Sequence, residues 1–561
     1  MYRLFHIAAT LMFLCALTAC QIKQASQKPN FIIILADDLG YTDIVRFSEN
    51  LTGDTKHFYE TPHIDQLSAD GLSFKQAYVN QLCSPTRAAL LSGIHSAKLG
   101  FTTATPGRTK SFYAAGITPP PEYHPLDVIE HKDNIRIQQA LTNGLSITGL
   151  PAGTSMDNGK NIITFAEALE DYRSGFVGKW HVGGHGALGY QPSDQGFAEI
   201  AYYDAGGSPY FNWRQAWDRK KLLSPEMPQA KLHIGNSGTD TGKNYLTDAI
   251  SSQAISFINQ NANKDQPFLL YVAHFAVHTP IQAKKEFIDY FAKKSELGHN
   301  GKGNTVYAAM VKSLDDSVGA IRESLKKNEI DNNTYIIFLS DNGGVDYLVG
   351  KGYTGRRPTT FAQDDRWAPT SNKPLKGGKA TVFEGGVRVP MIIQGPRIKA
   401  GQWQQRAVDI TDIFPTLLDL AGVQLPTNDI DGQSLLPLLG IATDKSYTKD
   451  TIYWHYPFNV VVQNPDNGLP LSPHSAIRKR DFKLVVDWHG EQKLYNIKED
   501  PFETSNLVSA HPDLVKSLQT ELVEWIENNV AARYRAYPNP DYDPELDARP
   551  PFKQLTPTYL N

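Results

Sequence analysis

Phe31-Ile32-Ile33-Ile34-Leu35 is an unbroken apolar run of strand length. A strand with one wet face alternates apolar and polar residues, so a run without alternation is buried on both faces. The same pattern returns at Pro267–Val272, Tyr335–Leu339 and Val389–Ile393. Helix-period segments lie between these runs, at Thr61–Gly71, Ile162–Leu169 and Tyr307–Lys326, and after the last of them, at Thr411–Gly422. Buried strands alternating with helices predict an α/β fold, a large and mostly parallel sheet with helices on both faces. With 561 residues, the chain has room for one such domain and a smaller companion. The texture changes near residue 440. Thr451–Tyr456, Ser475–Ile477, Phe482–Trp488 and Gln492–Tyr495 read as short antiparallel strands, and Asp513–Asn529 as a helix. The predicted layout is a main domain over 29–440, with insertions at about 101–160 and 198–240, and a C-terminal α+β subdomain over 441–561.

Residues 1–20 read as a targeting segment. Arg3 precedes the apolar run Ile7–Leu17, which is too short to span a bilayer. Leu17-Thr18-Ala19-Cys20 resembles a bacterial lipoprotein signal, in which Cys20 becomes the lipid-bearing N-terminus. Residues 21–28 would then be a polar tether. Gln21, in place of aspartate, favours an outer-membrane lipoprotein facing the periplasm or the cell surface. Of the three cysteines, Cys15 leaves with the signal and Cys20 is lipidated. Cys83 is then a solitary thiol in an oxidising compartment, which flags a special role.

Cys83 sits at a predicted helix entrance, with Pro85 read as the first helical residue and Arg87 one turn on. By residue type alone, a buried free cysteine at a helix cap is the commoner reading. The rest of the chain argues against it. Asp37/Asp38, Lys179/His181, His278 and Asp341/Asn342 each follow an apolar run, and Lys379 follows a Gly-rich turn. Polar residues delivered at the carboxyl ends of several buried strands predict one shared site. Three aspartates and an asparagine are all-oxygen donors, suited to a hard cation such as Ca²⁺ or Mg²⁺. Two lysines, an arginine and two histidines beside it describe a pocket for a small oxyanion. The net charge of -4 gives no global basic field, which excludes nucleic acid as an expected partner.

Cys-Ser-Pro-Thr-Arg at 83–87 resembles the signature of the type I sulfatases of the alkaline-phosphatase superfamily. Five other segments match that family in its order: Ala36–Gly40, Gly178–His181, His278–Pro280, Ser340–Gly343 and Gly377–Pro390. The resemblance implies an alkaline-phosphatase-like fold and hydrolysis of sulfate esters. It implies that Cys83 is oxidised to Cα-formylglycine by a formylglycine-generating or anaerobic sulfatase-maturating enzyme. It further implies that Asp37, Asp38, Asp341 and Asn342, with an oxygen on modified residue 83, hold one Ca²⁺. In that scheme a hydroxyl of the aldehyde hydrate attacks sulfur, with Asp341 accepting its proton. His278 protonates the leaving oxygen with help from Lys379. His181 deprotonates the second hydroxyl, and Arg87 and Lys179 hold the sulfate charge.

The motifs say little about what carries the sulfate. An exported chain and an aromatic-rich stretch at 202–217 favour a sulfated oligosaccharide, a marine galactan such as carrageenan, or ulvan. Arg108, Tyr203, Trp213, Arg356, Arg357 and His455 are the candidate substrate contacts. Three alternatives compete: a glycosaminoglycan sulfatase, a phosphonate or phosphate monoester hydrolase of the same superfamily, and a non-catalytic binding lipoprotein. His274 reads as a packed histidine, and Lys376 carries no assigned role.

Overall fold

The computed structural model describes residues 28–104, 127–129, 142–143, 145–147, 149–150, 162–183, 190–204, 206–211, 213, 245–294, 303–346, 368–426, 430–442, 444–457, 460–463, 465–466, 470–471, 473–488, 490–538, 543 and 545–546. The targeting segment and tether lie outside them, as do Arg108, Arg356 and Arg357. Among the described residues, no helix is long and apolar enough to cross a membrane.

The main sheet has eight strands. In chain order they are β1 (Asn30–Ala36), β2 (Leu72–Phe74), β3 (Arg173–Lys179), β4 (Glu199–Asp204), β5 (Phe268–Ala273), β6 (Thr334–Ser340), β7 (Met391–Gln394) and β8 (Gln402–Gln404). Their spatial order is β8-β2-β7-β6-β1-β5-β3-β4. The five consecutive strands from β6 to β4, which ends the sheet, are parallel, as the apolar runs predict. β7 departs from that prediction, running antiparallel to both β6 and β2.

All seven residues of β1 are buried, and the side chains divide between two cores. Phe31, Ile33 and Leu35 face one apolar cluster, Ile32, Ile34 and Ala36 the other. The first cluster includes residues of α2 (Cys83–Ser92), α5 (Ile413–Ala421) and α6 (Pro512–Asn529). The second includes residues of α1 (Pro62–Asp70), α3 (Leu246–Asn261) and α4 (Thr305–Lys327). A strand with no polar face therefore needs a helical layer on each side, and it has both.

The C-terminal region forms a four-stranded antiparallel sheet of β9 (Thr451–Tyr456), β10 (His474–Lys479), β11 (Phe482–Asp487) and β12 (Glu491–Asn496). One face covers α6 through Ile477, Leu484 and Val486. The other packs Ile452, Trp454 and Val485 on Val382, Phe383 and Val387 of the main domain.

The parallel registers fix where the polar clusters land. Ala36 pairs with Ser340, Leu35 with Ala273, and Gly178 with Ala273. β1, β3, β5 and β6 thus end at one level, so Asp37, Lys179, His274 and Asp341 emerge along one edge of the sheet.

Candidate active site

Cys83 is the first residue of α2, two residues earlier than Pro85 suggests. Pro85 therefore occupies the third helical position, where an N–H still has no partner within the helix. The whole helix is buried, and Gly93 closes it in the left-handed conformation (φ 69°). Arg87 points from α2 to the end of β6. Its Nε and Nη2 donate to Asp341 Oδ2 at 3.0 and 2.7 Å, and its Nη1 donates to the Lys179 carbonyl at 2.7 Å. One guanidinium thus ties α2 to both β6 and β3, a planar fork that lysine could not reproduce.

The four oxygen-bearing residues meet around it. Lys179 Nζ donates to Asp37 Oδ2 at 2.6 Å. Asn342 Nδ2 donates to Asp38 Oδ1 at 2.8 Å, and Lys379 Nζ stands 2.7 Å from the same oxygen. The Asp38 N–H donates to Asp341 Oδ1 at 3.2 Å. Asp37, Asp38, Cys83 and His278 each place one potential ligand atom within 4.8 Å of the other three. Asp37 Oδ1 and Asn342 Oδ1 are buried and have no hydrogen-bond partner among the described residues. Buried orphan oxygens are costly, and a hard cation is the partner that such a donor set fits.

Two loops complete the edge. The Lys379 N–H donates to the Gly344 carbonyl (3.0 Å), and the Ala380 N–H to the Gln81 carbonyl (2.8 Å). Gly343 must be glycine, because a Cβ there would collide with the Gly385 carbonyl. On the other side, the Asp37 N–H donates to the Ala276 carbonyl (2.9 Å) and the Val277 N–H to the Asp37 carbonyl (2.6 Å). His278 follows. Its Nδ1 lies 2.5 Å from the Thr279 carbonyl, which makes Nδ1 the protonated nitrogen, and Nε2 faces Asp38 Oδ2 at 3.7 Å. His181 lies two residues beyond Lys179, with left-handed backbone (φ 61°).

The electrostatics separate these groups. Burial would raise the Asp37 carboxyl, but Lys179, His278, Arg87 and Lys379 hold it well below the usual carboxylate range. Burial and the Asp37 charge push Asp341 up to about 7 despite Arg87. Burial outweighs Lys179 and Lys379 at Cys83 and pushes its thiol up to about 12. An unmodified Cys83 is therefore a neutral thiol at pH 7 and a poor nucleophile. The helix entrance and nearby cations do not make a thiolate here. Burial and Lys379 lower His278 to about 4, against Asp38 and Asp37. A sulfate ester arriving beside Nε2 adds negative charge that favours the imidazolium.

Three of the expected substrate contacts fall within the described residues. Trp213 is fully buried in the second core, so its indole offers no stacking face to a sugar. His455 is buried in the C-terminal sheet, with Nδ1 2.9 Å from Ser475 Oγ, and it too is withdrawn from solvent. Both departures have one cause: aromatic and histidine side chains pack where tertiary neighbours cover them, and composition cannot show that. Tyr203 lies on β4. The sequence reading missed Asn372, whose Oδ1 accepts from the Gly344 N–H at 3.1 Å and whose Nδ2 donates to the Gly344 carbonyl at 2.9 Å. A lone asparagine outside any motif gives no signal of this kind.

The comparisons bear on the family and the fold. The Sulfatase family model matches residues 29–423, and the model of the N-sulphoglucosamine sulphohydrolase C-terminal region matches 378–529. A sulfatase of Formosa agariphila is 29% identical over 545 residues, covering 91% of this chain and 90% of the relative. The N-acetylgalactosamine-6-sulfatase of Sus scrofa is 31% identical over 430 residues, covering 74% of this chain and 66% of the relative. The crystal structure of Ps i-CgsB in complex with k-i-k-neocarrahexaose superposes with TM-score 0.66 at 28% identity, covering 91% of this chain and 95% of that one. The chain thus belongs to the sulfatase family and is a sulfuric ester hydrolase of alkaline-phosphatase-like fold.

Proposed function

We propose that this sulfatase removes sulfate from a sulfated galactan, with carrageenan-type oligosaccharides as the preferred substrate. The likeness to the neocarrahexaose-bound relative, which spans nearly the whole chain, carries this reading. A second reading, a glycosaminoglycan sulfatase, is favoured by the N-acetylgalactosamine-6-sulfatases. Both point to a galacto-configured sugar. In either case the product is inorganic sulfate and a free sugar hydroxyl.

Asp37, Asp38, Asp341 and Asn342 hold Ca²⁺ in this reading, and the ion would neutralise charge on a sulfate oxygen. Cys83 oxidised to formylglycine by a maturation enzyme supplies an aldehyde hydrate as the nucleophile, which answers the inertness of the buried thiol. Arg87 and Lys179 hold the oxygens of residue 83 and the sulfate charge. Asp341 accepts the first proton from residue 83. His278 Nε2 gives a proton to the leaving sugar oxygen, with Lys379 beside it. His181 takes the second proton from residue 83. A lipid on Cys20 would hold the enzyme at the outer membrane, where imported oligosaccharides pass.

Sulfate release from a panel of carrageenan, ulvan and glycosaminoglycan oligosaccharides tests the reading. We expect the highest kcat/KM on a carrageenan oligosaccharide. Turnover of a small aryl sulfate with no release from any sulfated sugar would sink it. Faster hydrolysis of a phosphonate monoester than of any sulfate would replace it with the phosphoesterase alternative. Cys83→Ala should abolish turnover while calorimetry still detects the oligosaccharide. Mass spectrometry of the active-site peptide should find the aldehyde at position 83. An intact cysteine there in the native host would support the binding-lipoprotein alternative.

A further inference from the structure

Tyr210 belongs to the aromatic-rich stretch that suggests sugar stacking, yet it is fully buried. Its hydroxyl reaches two carbonyls of the loop that carries His278. It lies 2.5 Å from the Phe275 oxygen and 2.9 Å from the His278 oxygen, and its single proton is shared between them. The rest of the residue is anchored to Gln282, four residues beyond His278 in the same connection, and to the start of α3. The Tyr210 N–H donates to Gln282 Oε1 (2.9 Å), the Tyr210 carbonyl accepts from Leu246 N (2.8 Å), and the ring stacks on Tyr245 with centroids 5.5 Å apart. Gly207, three residues earlier and exposed, lies beside the His278 ring. A Cβ on Gly207 would come within 3.7 Å of Cε1, so the absence of a side chain keeps that edge of the imidazole open.

The loop from Phe275 to His278 has two ends with different duties. Ala276 and Val277 are pinned to the backbone of Asp37. The His278 end has its Nδ1 contact to the adjacent Thr279 carbonyl, a contact that travels with the loop itself. The Tyr210 hydroxyl ties the His278 main chain directly to the stacked Tyr210–Tyr245 pair. We infer that Tyr210 is a positioning residue for His278, setting the distance between Nε2 and the leaving sugar oxygen. This rests on the reading of His278 as the leaving-group acid. The Phe275 carbonyl also accepts from the His278 N–H (2.8 Å), a turn that travels with the loop itself, so losing the hydroxyl releases this turn from Tyr210 while leaving Asp37 held. An acid misplaced by about 1 Å loses on the order of 10²-fold in rate.

The test is a double-mutant cycle of Tyr210→Phe and His278→Ala, read as kcat and KM for sulfate release from the best sulfated oligosaccharide. Tyr210→Phe should lower kcat about 10- to 100-fold with KM within about 2-fold. In the His278→Ala background the same change should cost less than about 2-fold. Equal losses in both backgrounds would mean that Tyr210 supports the site in general, and would overturn the proposal. Gln282→Ala, which frees the Tyr210 main chain, should show a smaller loss of the same non-additive kind. A crystal structure of Tyr210→Phe gives a readout independent of substrate: the His278 ring should shift from Asp38 while Asp37 stays in place, and an unmoved ring would overturn the proposal. A wild-type enzyme that releases sulfate from no sugar fails the functional reading instead, and the crystal structure still decides the role of Tyr210.

Discussion

Asp38 shows how many duties one carboxylate holds at this edge. Its two oxygens face Lys379, Asn342 and His278, and its own N–H is held by Asp341. Its backbone is left-handed (φ 62°), a conformation that aspartate tolerates better than most residues. Asp38→Ala removes a proposed metal ligand and the carboxylate that faces Lys379. We expect turnover to fall by at least about 10³-fold. Elemental analysis should find the calcium content of the purified variant reduced. The wild-type melting temperature should rise with added calcium, because a ligand bound only to the folded state stabilises it, and the variant should lose that rise. Unchanged metal content and activity would mean that the ion is held elsewhere. The residues of this edge were legible in the sequence because each follows an apolar strand or a short signature. Tyr210 was legible only as an aromatic, since its duty is set by a hydroxyl reaching carbonyls 65 and 68 positions away.

At the scale of elements, the strands were the easiest to read and the joints the hardest. Unbroken apolar runs predict β1, β5 and β6 to within a residue or two, because burial on both faces leaves no other pattern. The antiparallel course of β7 was not readable, since strand direction depends on how the chain returns to the sheet. Nor was the joint between the C-terminal sheet and the main domain. Lys483 on β11 is fully buried, 3.0 Å from Glu384 Oε1 and 3.0 Å from Glu503 Oε1. Tyr78 donates to the other Glu384 oxygen at 2.8 Å. Glu384 follows Phe383 in the segment that begins at Lys379, so the C-terminal sheet grips the loop that carries the lysine facing Asp38. Removing one partner of a buried pair strands the other charge, at a cost of about 3–5 kcal/mol. Lys483→Ala should therefore lower unfolding stability by that order in chemical denaturation. Lys483→Met with Glu384→Gln should recover part of it, because one of the two stranded carboxylates is gone. A loss under about 1 kcal/mol in the single variant would show that water reaches the pair.

The whole molecule also carries a pH dependence that no single element reveals. His274 and His455 are both buried, one just after β5 and one on β9, and burial lowers both to about 3. Each stays neutral in the folded chain and titrates near 6.5 once unfolded. A histidine with a depressed folded value contributes stability that is complete above 6.5 and is lost as pH falls toward 3. Each therefore adds a slope of about 1.4 kcal/mol per pH unit within that window. His274 was readable as a packed histidine from its place at the end of a buried run. His455 was not, because β9 has one face on the main domain and its neighbours in sequence do not show which face that is. Replacing it separates the two contributions. His455→Gln fills much of the same volume and carries no charge at any pH. Wild-type stability should drop between pH 7 and pH 5, and that drop should shrink by about 2 kcal/mol in the variant, as measured by urea unfolding at both values. The variant should also be less stable than wild type at pH 7, because the exchange disturbs the contact to Ser475 Oγ. A drop of the same size in both proteins would mean that His455 is protonated in the folded chain, with solvent reaching the inside of the C-terminal sheet.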